Sequence, residues 1–284
     1  MASDTTVEDI AYLTELVREY DRPRYYATLF APAALRADLF AIYGFAAEIA
    51  RIPDQVSEPQ LGEIRLMWWQ EALATAAYAA EVGASPAVRA LSGVISRRAF
   101  PLAPFEALIE SRRADFYSDP PATLTDLEGQ MGETESVLFQ IAAITCGAGS
   151  DTAGAAGHAG VAYGIARRLS ILASDRMRGR TILPADLLAK DAISASDAFA
   201  PSDELGLHRT VAALAAVARR HLGEARQRIA AIPASARPVF LPLAVVGPLL
   251  RKIERVGPAI VERDVGLSNL ERLTRIGLAR LRGN

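Results

Sequence analysis

The stretch that decides the fold runs from residue 29 to residue 73 and reads LFAPAALRADLFAIYGFAAEIARIPDQVSEPQLGEIRLMWWQEAL. Its apolar residues recur every three or four positions, which is the pattern of a helix with one face against a core. These residues are Leu35, Leu39, Ile42, Phe45 and Ile49. Pro53 lacks a backbone donor and clashes with the turn before it. The pattern therefore predicts that this helix ends near Ile52, with Asp54 just beyond the break.

The rest of the chain shows the same helical periodicity. A second long helix is predicted between Val211 and Ile229, and no run shows the convincing alternation of apolar and polar residues that indicates a strand. Thr123 and Ser202 each precede an apolar stretch and are suitable N-terminal caps. The pattern predicts an all-α, single-domain bundle of about eight to ten helices over residues 1–284.

Composition and charge exclude several classes of protein. The chain has 284 residues, of which 51% are hydrophobic, so it can bury a sizeable core. Its formal net charge of -2 indicates no global basic field, and we therefore expect no nucleic-acid partner. Cys146 is the only cysteine, so the chain can form no internal disulfide, which is typical of a reducing compartment.

The sequence also bears on the membrane. The N-terminal residues contain no basic region followed by an apolar run, so no secretory signal is predicted. The most apolar run, Pro238–Leu250, has about 13 residues, whereas a membrane-spanning helix needs roughly 20. These features favour a cytoplasmic protein and leave open a peripheral contact with the inner membrane.

The stretch quoted above resembles the opening block of the squalene/phytoene synthase family, with matches at Pro32, Arg36, Tyr43 and Phe45 and, just upstream of it, at Tyr25. The resemblance covers roughly residues 10 to 270. It implies a helical bundle of the terpenoid (prenyl) synthase type with a central cavity. It also implies two aspartate-rich motifs that face each other and hold three Mg²⁺ ions and a diphosphate.

Both aspartate-rich motifs are degraded here. The first motif, of the form DDxxD, reads Ala50 to Asp54 in this chain and retains one carboxylate. The second lies between Ile171 and Pro184, is about four residues shorter, and retains Asp175. Because Mg²⁺ takes oxygen ligands, two isolated carboxylates cannot hold three such ions. We therefore expect no metal site, no cofactor and no catalytic residue. The alternative interpretation of Asp54 and Asp175 is that they are ordinary solvated or capping aspartates.

Shared losses point to one branch of the family. The chain is similar to a non-catalytic branch whose members assist assembly of respiratory complex I, NADH:ubiquinone oxidoreductase. The shared residues are Gly62, Arg65, Trp69, the stretch from Glu133 to Ser136, and the Leu183–Pro184 pair after the shortened motif. The resemblance implies an assembly or chaperone-like factor with a respiratory complex subunit as its partner.

A dense basic cluster accompanies the lost carboxylates. It consists of Arg167, Arg168, Arg176, Arg178 and Arg180, for which the sequence predicts little acidic compensation. It is interpreted either as an anion site for a lipid phosphate, a diphosphate or an acidic partner, or as a solvated helix end. The candidate ligand-binding or anion-binding residues are Tyr25, Arg36, Tyr43, Arg51, Asp54, Arg168, Asp175, Arg178 and Arg180.

Two other functions remain open from the sequence. One is an Mg²⁺-dependent head-to-head prenyl transferase acting on farnesyl or geranylgeranyl diphosphate, in which Asp115 or Asp38 could help to rebuild the metal site. The other is a carrier that binds an isoprenoid or lipid without converting it. In the favoured hypothesis, the basic cluster and Pro238–Leu250 would dock at an anionic membrane face.

Overall fold

The computed structural model describes residues 6–75, 85–117, 119–194, 196–198 and 204–283. Within these ranges all regular structure is helical, which confirms the predicted all-α class. The α-helices are α1 Val7–Tyr20, α2 Arg22–Leu29, α3 Arg36–Ala50, α4 Pro59–Ala74, α5 Pro86–Arg98, α6 Ala103–Glu110, α7 Leu124–Met131, α8 Val137–Thr145, α9 Ala153–Ser170, α10 Leu172–Met177, α11 Ala185–Ala189, α12 Glu204–Ile229, α13 Leu243–Val256 and α14 Asn269–Leu281.

The prediction of eight to ten helices is wrong, since the described residues contain fourteen α-helices. Several of them, such as α10 and α11, are only five or six residues long and continue from a neighbouring turn. The predicted cap at Thr123 is confirmed, because its hydroxyl accepts from the backbone N–H of Asp126 and the Asp126 carboxylate accepts in return. The cap predicted at Ser202 lies outside the described residues.

The break at Pro53 follows the prediction from sequence. Helix α3 ends at Ala50, and a single 3₁₀ turn spans Ile52–Asp54 before α4 begins at Pro59. The apolar face of α3 is buried, and the Phe45 ring packs edge-on against Trp69 of α4, with 5.3 Å between ring centroids. Asp54 therefore lies in the turn just after α3, whose apolar face is buried in the core.

Helix α9 lies at the centre of the molecule and contacts α7, α8, α12 and α13. Two glycines on this helix allow a π-helical turn, Gly132–Ser136, to approach its backbone. A Cβ atom on Gly160 would lie 2.2 Å from the backbone nitrogen of Ser136, and one on Gly164 would lie 2.3 Å from the sulfur of Met131. Such turns are rare and often occur at functional sites.

The apolar segment Pro238–Leu250 belongs to the core. Val239, Phe240, Leu241 and Leu250 are each no more than 3% exposed. Most of its apolar side chains therefore pack against the bundle, whereas Ala244, Pro248 and Leu249 are only partly buried, and the docking of this segment on a membrane stays a prediction. In the described part of the chain, no helix is both long enough and apolar enough to cross a membrane.

Candidate functional site

The carboxylates that survive in the two degraded motifs meet at one arginine. Nη2 of Arg180 lies 2.7 Å from Oδ1 of Asp54 and 3.4 Å from Oδ1 of Asp175. Arg178 approaches Asp54 from the same side, at 3.7 Å. A guanidinium group therefore occupies the space between the two carboxylates.

A third carboxylate, from Asp115, joins this group. Arg168 lies 3.2 Å from Asp115 and 3.0 Å from Asp175, and Arg112 lies 3.3 Å from Asp115. Burial alone would raise the pKa of Asp115, but the guanidinium groups of Arg168 and Arg112 hold that pKa below its usual value. We call this group the outer cluster. It consists of Asp54, Asp115, Asp175, Arg112, Arg168, Arg178 and Arg180.

The outer cluster does not fit Mg²⁺. Its three carboxylates face four guanidinium groups, so the cluster carries excess positive charge and its carboxylate oxygens already accept from arginine. Two buried donors, Nε of Arg112 and Nε of Arg180, have no hydrogen-bond acceptor in the described part of the chain, so the cluster is short of oxygen ligands. Over the residues that the structure describes, no three acidic, histidine or cysteine side chains are arranged to hold a metal ion.

The prediction of little acidic compensation for the basic cluster is wrong. Arg167, Arg168, Arg178 and Arg180 all pair with carboxylates, and Arg176 donates to backbone carbonyl groups. Apart from Asp175, the partners come from distant parts of the chain. Asp175 is 3% exposed and so is not a solvated aspartate, because Arg168 and Arg180 neutralise it in the interior.

A second, more deeply buried ionic group lies between α2, α8 and α9. Arg24 is 2% exposed; its Nη1 lies 3.1 Å from Asp21, and its Nη2 lies 2.7 Å from Glu135. Arg24 and Glu135 thus form an ion pair in which both side chains are buried. We call this group the inner cluster. It consists of Asp21, Arg24, Tyr43, Glu135, Tyr163 and Arg167.

Aromatic rings enclose the Arg24 guanidinium. Its central carbon lies 5.0 Å from the ring centroids of Phe139 and Tyr163 and 5.3 Å from that of Tyr43. This geometry provides cation–π attraction where water is excluded. The Tyr163 hydroxyl donates to Asp21 at 2.6 Å, and burial together with that carboxylate raises the pKa of Tyr163.

The Glu135 carboxyl group of the inner cluster is strongly ionised. Burial alone would raise the pKa of Glu135, but the charges of Arg24 and Arg167 lower it to about 2. The π-helical turn and the small residues of α9 place this carboxylate in the interior, since Gly164 also lies against its side chain. The inner cluster therefore fills the space between the helices with fixed, mutually neutralised charge.

A cleft of about 670 Å³ opens beside the outer cluster. Asp115, Arg168 and Arg180 form part of its wall, and most of the remaining lining is polar or small, including Glu110, Gln130, Thr181, Gly129 and Ala114. An isoprenoid chain requires a mostly apolar wall. This cleft therefore provides a poor surface for a prenyl tail.

The structure brings together five of the nine candidate residues, namely Asp54, Arg168, Asp175, Arg178 and Arg180. Tyr43 belongs to the inner cluster. The other three lie elsewhere. The Tyr25 ring packs near Tyr26 and Phe40, Arg36 donates to the carbonyl of Ala31, and Arg51 pairs with Glu48 beneath the ring of Tyr20.

Sequence reasoning missed several residues of both clusters. Glu135 lies in the stretch shared with the assembly-factor branch, so it carried a signal. Asp21 and Arg112 carried none. Of the two acids considered as replacements, Asp115 reaches the site, whereas Asp38 pairs with Arg97 and Arg98 at a different place.

The chain was compared with known proteins. The sequence model described as squalene/phytoene synthase matches residues 17–273. Curated relatives named "NADH dehydrogenase (ubiquinone) complex I, assembly factor 6" include one from Bos taurus, 28% identical over 246 residues, and one from Homo sapiens, 26% identical. Each alignment covers 86% of this chain and 74% of the relative.

Solved structures show the same fold. The squalene synthase HpnC from Alicyclobacillus acidocaldarius superposes with a TM-score of 0.75 at 23% identity, over 87% of this chain and 94% of that one. A dehydrosqualene synthase in complex with ligand superposes with a TM-score of 0.78 at 17% identity, over 98% of each chain. The predicted terpenoid synthase type of bundle is thereby confirmed.

Proposed function

We propose that this chain, which belongs to the squalene/phytoene synthase family, acts without catalysis as an assembly factor for respiratory complex I. The observation that carries the proposal is the position of Arg180 between Asp54 and Asp175. Arg180 forms ion pairs with the two carboxylates that remain from the metal-binding motifs of the family.

Electrostatics argue against prenyl transfer at this site. Ionisation of an allylic diphosphate requires strong stabilisation of the leaving group, usually by metal ions. Freeing Asp175 for a metal would leave Arg168 and Arg180 without that partner, and breaking a buried ion pair costs roughly 3–5 kcal/mol. The proposal therefore includes no magnesium and no other cofactor.

The assembly role is supported by the relatives, which align with 86% of this chain and carry the name of an assembly factor. A surface suited to a protein partner is also present. Helix α4 exposes Leu61, Ile64, Met67 and Trp68 on adjacent turns, while its other face packs into the core through Trp69. Exposed apolar patches of this kind mark interaction sites. We propose that an apolar segment of a complex I subunit covers this face, and that the protein works in the cytoplasm at the inner membrane.

The absence of catalysis is tested with purified protein, Mg²⁺ and farnesyl or geranylgeranyl diphosphate. We expect no release of diphosphate above the level of a blank. Measurable turnover that falls in the Asp54→Asn variant would overturn the non-catalytic proposal. Native mass spectrometry of the same sample tests the carrier alternative, which requires an isoprenoid bound in stoichiometric amount.

The assembly role is tested by deleting the gene in its host and measuring NADH:ubiquinone oxidoreductase activity in membranes. We expect the activity to fall, and to return with the wild-type chain and with Asp54→Asn. A chain with Ile64→Glu and Trp68→Glu should fail to restore it. Val7→Glu with Leu205→Glu serves as the matched control, because both are exposed apolar residues on other helices, α1 and α12. Unchanged complex I in the deletion strain would refute the proposal.

A further inference from the structure

A second concave surface involves the C-terminal helices, and none of its lining residues belongs to either ionic cluster. It is a groove of about 270 Å³ between α12, α13 and α14. Its apolar lining includes Phe240, Leu243, Ala244, Pro248 and Leu278. Gly247 also lines the groove. A Cβ atom at this position would lie 3.6 Å from the Arg251 side chain, at an ordinary contact distance.

Four arginines line this apolar groove, namely Arg226, Arg251, Arg275 and Arg282. All four are exposed. Among the described residues, none of the four has a carboxylate within ion-pair distance, and Glu254 and Glu271 act on Arg251 and Arg275 only from farther away. Four like charges around one groove repel each other, so an anion placed among them is attracted. Guanidinium groups suit the oxygens of a phosphate.

Helix α14 extends the apolar surface outward. Leu270, Leu273 and Leu281 recur at helical spacing on its solvent-facing side and are 43% to 84% exposed, whereas Ile276 packs into the core. The acid in its first turn, Glu271, caps the helix by accepting from the backbone of Ser268. The remaining charged side chains of α14 are arginines, so the helix combines exposed leucines with net positive charge.

We propose that this surface binds an anionic phospholipid membrane. The arginines hold lipid phosphate groups, the groove accepts part of an acyl chain, and the leucines of α14 enter the boundary between headgroups and chains. This is the arrangement of helices that lie in the plane of a membrane interface. The inference names a surface for the peripheral membrane contact proposed above, and it does not depend on complex I as the partner.

Flotation of the full chain with lipid vesicles tests the inference. We expect the protein to float with vesicles of equal parts phosphatidylcholine and phosphatidylglycerol, and not with phosphatidylcholine alone. Each arginine near an anionic surface is worth about fivefold in binding. The double substitution of Arg275→Gln and Arg282→Gln should therefore weaken binding about 25-fold. Leu270→Gln with Leu281→Gln should also weaken it, at an unchanged melting temperature.

The matched control is Arg65→Gln with Arg263→Gln, which removes the same charge from exposed positions outside the groove. Equal weakening in this control would show a general charge effect and overturn the inference. Binding to phosphatidylcholine alone at the same strength would also overturn it. So would a dimer in light scattering that the leucine substitutions convert to a monomer, since a second copy would then cover α14. If the protein does not float with the anionic vesicles, the membrane inference is overturned. That outcome leaves the complementation result for complex I unaffected.

Discussion

Replacing Glu135 with glutamine removes the central negative charge of the inner cluster while keeping its shape. The folded protein lowers the pKa of this carboxyl from 4.5 to about 2, and each pKa unit corresponds to about 1.4 kcal/mol. The ionised form therefore contributes about 3 kcal/mol at pH 7. Because the folded pKa lies below the unfolded one, this contribution is present above about pH 4.5 and is lost as the pH falls toward 2. It should be about 1 kcal/mol at pH 3.

The assay is urea unfolding of the wild type and Glu135→Gln at pH 7 and pH 3. We expect the variant to be less stable by about 3 kcal/mol at pH 7, with the difference shrinking to about 1 kcal/mol at pH 3. Glu133→Gln is the control, since Glu133 is exposed two positions away and surface changes stay within about 0.5 kcal/mol. A difference of the same size at both pH values would show that packing, and not charge, causes the loss.

Three further changes test the packing and titration of the interior. Gly160→Ala should lower the free energy of unfolding by about 1–3 kcal/mol in urea titrations, because its Cβ atom would collide with Ser136. Gly157→Ala on the same helix is the control. Its Cβ atom would meet open space, so this change should be neutral or stabilising. Burial and a neighbouring histidine ring lower the pKa of His158, so stability should fall as the pH drops below about 6.5, and His158→Gln should flatten that fall in urea titrations. Burial raises the pKa of Cys146 to about 11, so its thiol should react with an alkylating reagent at pH 7 only after denaturation, and fast labelling of the native protein would contradict this.

Much of the fold follows from local pattern. The apolar spacing of α3 and the break at Pro53 were readable because a helical period and a missing donor act over a few residues. Helix number was less predictable, since short helices such as α10 carry too few residues for a period.

The candidate site was only partly readable. The loss of metal ligands was visible as residue identity, since an alanine or an arginine supplies no oxygen to Mg²⁺. The pairing of the remaining charges was not visible in the sequence. The basic cluster was interpreted as uncompensated because most of its partners are far away in sequence. Arg180 reaches Asp54 across 126 positions, and no spacing rule connects such residues.

The sequence by itself determined that this chain is helical, that it shares a family's scaffold, and that its metal-binding acids are mostly gone. These properties depend on residue type and on short-range periodicity. Only the tertiary structure decided that arginines bind the acids that remain and that Arg24 and Glu135 form an ionic core. It also decided that four arginines around the groove beside α14 have no carboxylate within ion-pair distance among the described residues. Those outcomes depend on distance and burial, since a charge is neutralised by whatever lies within a few ångströms of it, wherever that group stands in the chain.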